Sequence, residues 1–196
     1  FKLNKDVFGF PIQWIPKNPR WQNYVDIWTQ IPLLTFVKNT VKITVVVTLL
    51  QLFTSSFAAY AFAKMQFKGK NALFLGYIAT IAVPWQAYMV PQFMMMSSWH
   101  LNNTHLAIMC LQAFSAFGVF LMKQFYEGVP TELCEAARID GLSEYGIWWH
   151  IMLPLSLPAL STLTIFTFVN TWNDFLGPLI YLTKTELKTI QIGLRM

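Results

Sequence analysis

Charge is the scarcest property of this sequence. Asp, Glu, Lys and Arg make up only 12% of its 196 residues, against about a quarter in an ordinary soluble domain. Cysteine is nearly absent too. Cys110 falls in an apolar run and Cys134 in a polar insert, so the pair builds neither a disulfide framework nor a thiolate metal site. Three scattered histidines, His100, His105 and His150, supply no ligand set. The phosphate-cradling pattern G-x-x-x-x-G-K-[S/T] is missing, since Gly69-Lys70 is followed by Asn71 and lacks the earlier glycine. There is no H-E-x-x-H, no nucleophile elbow and no Ser/His/Asp set. These absences predict a chain that hydrolyses nothing itself and draws any work from a partner or an ion gradient. The formal charge of +5 does not point to nucleic acid, because the bases are spread through loops and helix ends instead of forming a patch.

What is abundant is apolar surface: 55% of residues are hydrophobic and the mean hydropathy is +0.44. A helix crosses a bilayer with about 20 apolar residues. Four windows qualify, at 36–65, 72–96, 106–122 and 153–182. The reading is an all-α polytopic membrane helix bundle. The chain opens on Phe1 with no signal-peptide pattern, so four spans is a minimum. Pro84, Pro91 and Pro158 are expected to kink or break their helices, which membrane proteins tolerate where neighbours satisfy the freed carbonyls. Ser55, Ala59 and Ala63, four apart, and Ser115 with Gly118 are small residues of the kind that let helices approach closely in lipid.

Residues 1–35 mix Pro11, Pro16, Pro19 and Pro32 with Trp14, Trp21 and Trp28. Tryptophan favours the membrane–water boundary, and the segment reads as an extracytoplasmic, interfacial stretch with a short helix around 21–30. The remaining 36–196 form the membrane core. Lys64, Lys68 and Lys70 follow the first window, whereas 97–105 carries no Lys or Arg, so the positive-inside rule places the first loop in the cytoplasm. Lys2, Lys5, Lys17 and Arg20 pull the other way. With that orientation the polar insert at 127–152 is cytoplasmic as well.

The insert contains TELCEAARIDGLSEYG at 131–146. Thr131 is expected to cap a helix whose first turn holds Glu132 and Glu135 near the positive end of the dipole. Gly141 is suited to a left-handed helix stop, and Ser143 to capping a second short helix toward His150. Ala136 and Ala137 predict a smooth strip that a partner's groove can approach closely. The acidic excess argues against a helix resting on anionic lipid headgroups.

Glu135-Ala136-Ala137, then Gly141, then Ile151-x-Leu153-Pro154, resembles in both residue type and spacing the EAA signature of permease subunits of binding-protein-dependent, type I ABC importers. Further segments resemble the carbohydrate branch, the second permease of maltose- and glycerol-3-phosphate-type systems. They are Asn18-Pro19 with Asn23-Tyr24, SFAAYAFAKMQFKGK at 56–70, Pro84 with Pro91, Leu101-Asn102-Asn103-Thr104, Trp172-Asn173-Asp174-Phe175, and LKTIQIGL at 187–194. Cys134 and Leu142 depart from it, standing where an acid and an alanine are frequent. The resemblance implies a MetI-like permease fold with six spans in the full protein, four of them here. It implies that 127–152 holds the coupling helix, with Glu135, Ala136, Ala137, Asp140 and Gly141 docking on an ATPase. The implied partners are a second permease subunit, two ATP-binding cassette ATPase subunits and an extracytoplasmic solute-binding protein. The chain itself would be non-catalytic and hold no cofactor or metal, ATP and Mg being bound by the ATPases.

Thr167, Asn170, Asp174 and Gly177 are spaced three, four and three, a single helix face, with Asn173 beside it. An acid inside a membrane span costs about 3 kcal/mol unless paired or wet. Two readings stay open. The stripe, with Thr167, Asn170, Asn173 and Asp174, lines a translocation path and meets sugar hydroxyls. Alternatively, Asp174 and Asn173 pair with a neighbouring helix or hold a bend near Gly177-Pro178. Outside the importer reading, Asp174 would serve an ATP-independent secondary transporter as a coupling site.

Overall fold

A computed structural model describes residues 21–196, all helix, turn or loop. The interfacial reading of 1–20 lies outside the described residues. A short helix, α1 (Gln22–Gln30), is present where the sequence suggested one.

The frame is α2 (Leu33–Lys64), 32 residues with neither glycine nor proline. At 1.5 Å per residue it is about 48 Å long, longer than the ~30 Å hydrocarbon core it must cross. Its first half, VKITVVVT, is rich in β-branched residues. Helix wins nonetheless, because in lipid every backbone amide must find its partner within the segment.

The other three windows are all interrupted. Lys70–Ala79 (α3) runs through a 3-10 turn, Thr80–Ala82, to Pro84, and Trp85–Ser98 (α4) leaves at 102°. Val83, immediately before the proline, is extended (φ −86, ψ 112) as Pro84 requires. Pro91, by contrast, sits inside α4 without ending it. The third window divides into α5 (His105–Gln112) and α6 (Ala116–Glu127), a break that no proline announces. Ser115 caps α6 by accepting a hydrogen bond from the Gly118 amide at 3.0 Å. In the fourth window the chain turns by 78° at Ser156, between Pro154 and Pro158, before α10 (Leu157–Asn173) begins. That leaves one unbroken helix able to cross a bilayer, 33–64, one run, 105–127, that is interrupted at 113–115 without a sharp bend, and two bent pairs that pass only together.

Between α6 and α10 lies the polar insert, with α7 (Glu132–Ile139), α8 (Glu144–Ile147), a π-helical turn at Trp148–Met152 and the short α9 (Leu153–Leu155). After α10 come α11 (Leu176–Tyr181), a 3-10 turn at Thr185–Leu187 and α12 (Ile190–Gly193).

Two apolar clusters stabilise the bundle. One, at the insert's end, gathers Ala59, Tyr60, Met122, Tyr126, Ile147, Met152 and Leu163. The other, toward the opposite end, gathers Ile43, Val47, Met96, Ile108, Tyr181 and Leu182. α2 passes through both, packed against α6 and α10. Of the small-residue stripe, Ser55 and Ala59 are fully buried and Ala63 is partly buried against the same cluster, and Gly118 of α6 lies directly against Ser55.

At the far end, side chains fasten the segment after α11. Asn103 Oδ1 accepts from the Thr183 amide (2.7 Å), the Thr183 hydroxyl (2.6 Å) and the Lys184 amide (3.1 Å). Asn39 Nδ2 donates to the carbonyls of Glu186 and Lys188.

Candidate functional site

The two apolar clusters are separated by a polar layer. It is built where spans are broken, because a broken helix leaves carbonyls that lipid cannot satisfy. Gln51 Nε2 donates to the Gln112 carbonyl at 2.7 Å, and Thr54 Oγ1 to the Ala113 carbonyl at 2.8 Å. Two of the carbonyls freed at the α5–α6 break are thus closed from α2. Thr167 Oγ1 of α10 donates to Gln51 Oε1 at 2.9 Å. Gln112 Nε2 donates to Asp174 Oδ2 at 2.7 Å, and its Oε1 accepts from Thr171 Oγ1 at 3.3 Å. Asp174 Oδ1 in turn accepts from the Gly177 amide at 3.1 Å.

This layer opens on a cleft of about 530 Å³. Gln51, Gln112, Thr167, Asn170, Thr171 and Asp174 line it, together with the rings of Trp85, Tyr88, Phe114, Phe117 and Phe166. A concave site with aromatic walls and a few convergent amides and hydroxyls suits a small polar ligand with apolar faces.

The stripe read from spacing is only partly a helix face. α10 ends at Asn173, and Asp174 is already extended (φ −64, ψ 121), so Gly177 belongs to α11. Thr167, Asn170, Asp174 and Gly177 all reach the cleft nevertheless. Asn173 does not. One residue before Asp174 it is turned away, donating to the Val169 carbonyl at 2.8 Å and accepting from Gln191 Nε2 at 3.4 Å. Asp174 lines the cleft, and it is also paired to another span while holding the α10–α11 bend. No Cβ fits at Gly177, where it would stand 2.5 Å from Asp174 Oδ2.

Gln51 and Gln112 were the groups not singled out from sequence. Their signal was available, since each is a lone amide in an apolar run, and a polar residue at membrane depth is a functional candidate by default.

At one end of the bundle the insert folds as helix, turn, helix. Gly141 (φ +86) ends α7 in the left-handed conformation. The Leu142 amide donates to the Ala137 carbonyl and the Gly141 amide to the Arg138 carbonyl, both at 3.0 Å, the pair of bonds that defines a Schellman stop. Ser143 caps α8 by accepting from the Gly146 amide at 3.2 Å. Thr131 does not cap α7: its backbone is already helical and its hydroxyl makes no capping bond. It faces Lys64 instead, whose Nζ lies 3.5 Å from Oγ1 and donates to the Val129 carbonyl at 2.5 Å.

Glu132, Glu135 and Ala136 are exposed on α7, as is Asp140 at its C-terminal cap, and Ile139 is 86% exposed. Ala137 corrects the expected two-alanine strip. With Cys134, three positions earlier on the same face, it is buried in the core cluster, and Cys134 Sγ lies 3.8 Å from Met152 Sδ. The strip facing outward is therefore Ala136 alone, flanked by Leu133 and Ile139.

Across the turn, Arg138 Nε donates to Glu144 Oε1 at 2.7 Å and the guanidinium reaches Oε2 at 3.3 Å. The Tyr60 hydroxyl of α2 donates to the same Oε2 at 2.5 Å. The Arg138 bond, and then that of Tyr60, hold the Glu144 carboxyl below its ordinary pKa, while Glu144 raises that of Arg138. The pair is consequently ionised at neutral pH.

Residues 51–195 match the family described as "Binding-protein-dependent transport system inner membrane component". The chain is 37% identical over 187 residues to the arabinooligosaccharides transport system permease protein AraQ of Halalkalibacterium halodurans, covering 95% of this chain and 67% of the relative. It is 36% identical over 172 residues to the lactose transport system permease protein LacG of Rhizobium radiobacter, covering 88% of this chain and 63% of the relative. Its fold is similar to that of a chain in the crystal structure of a bacterial ABC transporter involved in the import of the acidic polysaccharide alginate. The TM-score is 0.85 at 26% identity, over 92% of this chain and 64% of that one. This chain thus spans about two thirds of the length of the proteins it matches. On the match over 51–195 and the kinship along nearly its whole length, the chain belongs to the family of inner membrane components of binding-protein-dependent transport systems.

Proposed function

We propose that this chain is the membrane core of a permease subunit in an ATP-driven importer, and that its cargo is a carbohydrate. The single observation that carries the cargo class is the cleft, with aromatic walls beside the amides and hydroxyls of Gln51, Gln112, Asn170 and Thr171 at mid-depth of the bundle. Rings stack on the apolar faces of a sugar, and the planar polar groups meet its hydroxyls. The relatives named for arabinooligosaccharide and lactose transport support the same reading.

In this reading a second permease completes the path, and an extracytoplasmic solute-binding protein delivers the sugar. Two ATPase subunits bind ATP and Mg and seat α7 as the coupling helix. Glu135, Ala136, Asp140 and the exposed Ile139 meet the ATPase. Ala137 and Gly141 shape the helix and its stop from behind. Closure of the ATPases moves α7, and the spans switch between inward- and outward-facing arrangements as rigid bodies. The insert and the Lys64–Lys70 loop share one end of the bundle, which is the cytoplasmic one.

Reconstitution of the full transporter in proteoliposomes tests this. Sugar uptake that requires both ATP and the sugar-loaded binding protein is the expected result. Uptake driven by an ion gradient without ATP would replace the reading with a secondary transporter working through Asp174. Within the cleft, Asn170→Leu is expected to lower sugar uptake about tenfold, the loss of one hydrogen-bonding group worth roughly 1.4 kcal/mol. The complex should still assemble, because Asn170 is exposed and stands outside the network that joins the spans. Uptake at the wild-type level would remove this cleft from the path.

A further inference from the structure

The loop and the cleft lie at different depths of the bundle, and α2 reaches both through polar side chains. Tyr60 and Lys64 of α2 grip the insert on its two sides. Lys64, 8% exposed, holds the entry at Val129 and Thr131, and Tyr60 holds Glu144 beyond the turn. Glu144 is fastened to Arg138 of α7, so a displacement of α7 reaches Tyr60 through two consecutive charge-assisted bonds. Nine and thirteen residues earlier on the same helix, about 14 and 20 Å along its axis, Gln51 holds the Gln112 carbonyl and accepts from Thr167. Thr54 holds the Ala113 carbonyl. These are the joints of α5 with α6 and of the cleft with α10.

The contrast between α2 and the other spans gives this placement its weight. Each of the other three is interrupted, at 80–84, 113–115 and 156. α2 alone, among the described residues, runs unbroken from one end to the other. Interrupted helices bend at their breaks, and an unbroken one moves as a unit. We propose that α2 is the connecting rod of the transporter, and that Tyr60 and Lys64 are positioning residues that pass movement of the coupling loop to the breaks lining the cleft through Gln51 and Thr54. The inference rests on the importer reading and adds to it which residues transmit the stroke.

The test is the number of sugars imported per ATP hydrolysed by the reconstituted full transporter. It compares wild type with Tyr60→Phe, Lys64→Met, the double variant, and Lys64→Arg. Tyr60→Phe keeps the buried ring and removes only the hydroxyl. The double variant is expected to retain its ATPase subunits through purification and to hydrolyse ATP, while import per ATP falls about fivefold or more, the lower end of a typical coupling energy. Each single variant should fall less, and Lys64→Arg should restore most of the ratio by donating to the same carbonyl. An unchanged ratio in the double variant would overturn the proposal. So would a loss of import explained entirely by loss of bound ATPase, since the two side chains would then only shape the loop. Failure of wild type to couple uptake to ATP would instead bring down the importer reading itself.

Discussion

Gly118→Val is expected to force α2 and α6 apart and to lower transport by destabilising the folded bundle. A Cβ built at Gly118 falls on the Ser55 hydroxyl, with Ser55 Cβ at 3.1 Å and Leu163 Cδ1 at 3.3 Å. All three residues are buried, and the site lies where α2, α6 and α10 meet. In lipid, close approach of this kind is a principal source of helix–helix attraction, because no hydrophobic difference separates side chains from acyl tails. Overpacking in a closed core costs about 1–3 kcal/mol, and valine adds two methyl groups to a space that does not accept the first carbon. The melting temperature of the purified complex should fall by several degrees, and expression should drop. Gly118→Ala should be milder, and combining it with Ser55→Gly should recover stability, because the partner atoms that block the new methyl are gone. A double variant no better than Gly118→Ala would show that the contact with Ser55 is not what limits the approach.

Gly141→Val is expected to uncouple ATP hydrolysis from import while leaving the spans folded. Here nothing lies within 4 Å of an added Cβ, so no clash arises. The cost is in the backbone, since φ is +86 and a residue other than glycine in the left-handed region loses about 1–2 kcal/mol, more if β-branched. The chain can escape only by unwinding the stop. That moves Leu142 and Ser143 and separates Arg138 from Glu144, which are joined across this turn. Import per ATP should collapse, with ATPase subunits still present and thermal stability close to wild type. Gly141→Asn should be the mildest replacement, because asparagine tolerates the left-handed conformation. If the valine variant imports normally, the turn geometry is irrelevant to coupling.

Glu144 and Asp174 illustrate how far the sequence could be read. Glu144 was visible as one acid in a charged helix-turn-helix, and the helix, the glycine stop and the Ser143 cap all formed where spacing placed them. Its bond to Tyr60 was not visible, because the two residues are 84 positions apart and neither carries a local pattern that names the other. Asp174 stood out as an acid at membrane depth. Its partner Gln112, 62 positions away, became apparent only when the α5–α6 break was seen, and that break has a serine cap and no proline to announce it. Ala137 was placed outward on its small size and on the EAA resemblance. Packing turned it inward with Cys134, because α7 must bury one side against Met152 and its neighbours before it can offer the other.

The sequence by itself determined that this chain is a helical membrane component of a binding-protein-dependent transport system. Long apolar runs poor in charge have few other solutions, and the EAA spacing is a local pattern along one strand of text. Tertiary structure alone decided which polar groups share a layer, that Asn173 leaves the cleft while Gln51 and Gln112 enter it, and that one unbroken helix joins the cleft to the loop. Those outcomes depend on how carbonyls freed at a break find donors on another span, and such a pairing is settled by the packing of whole helices, not by the residues on either side of the break.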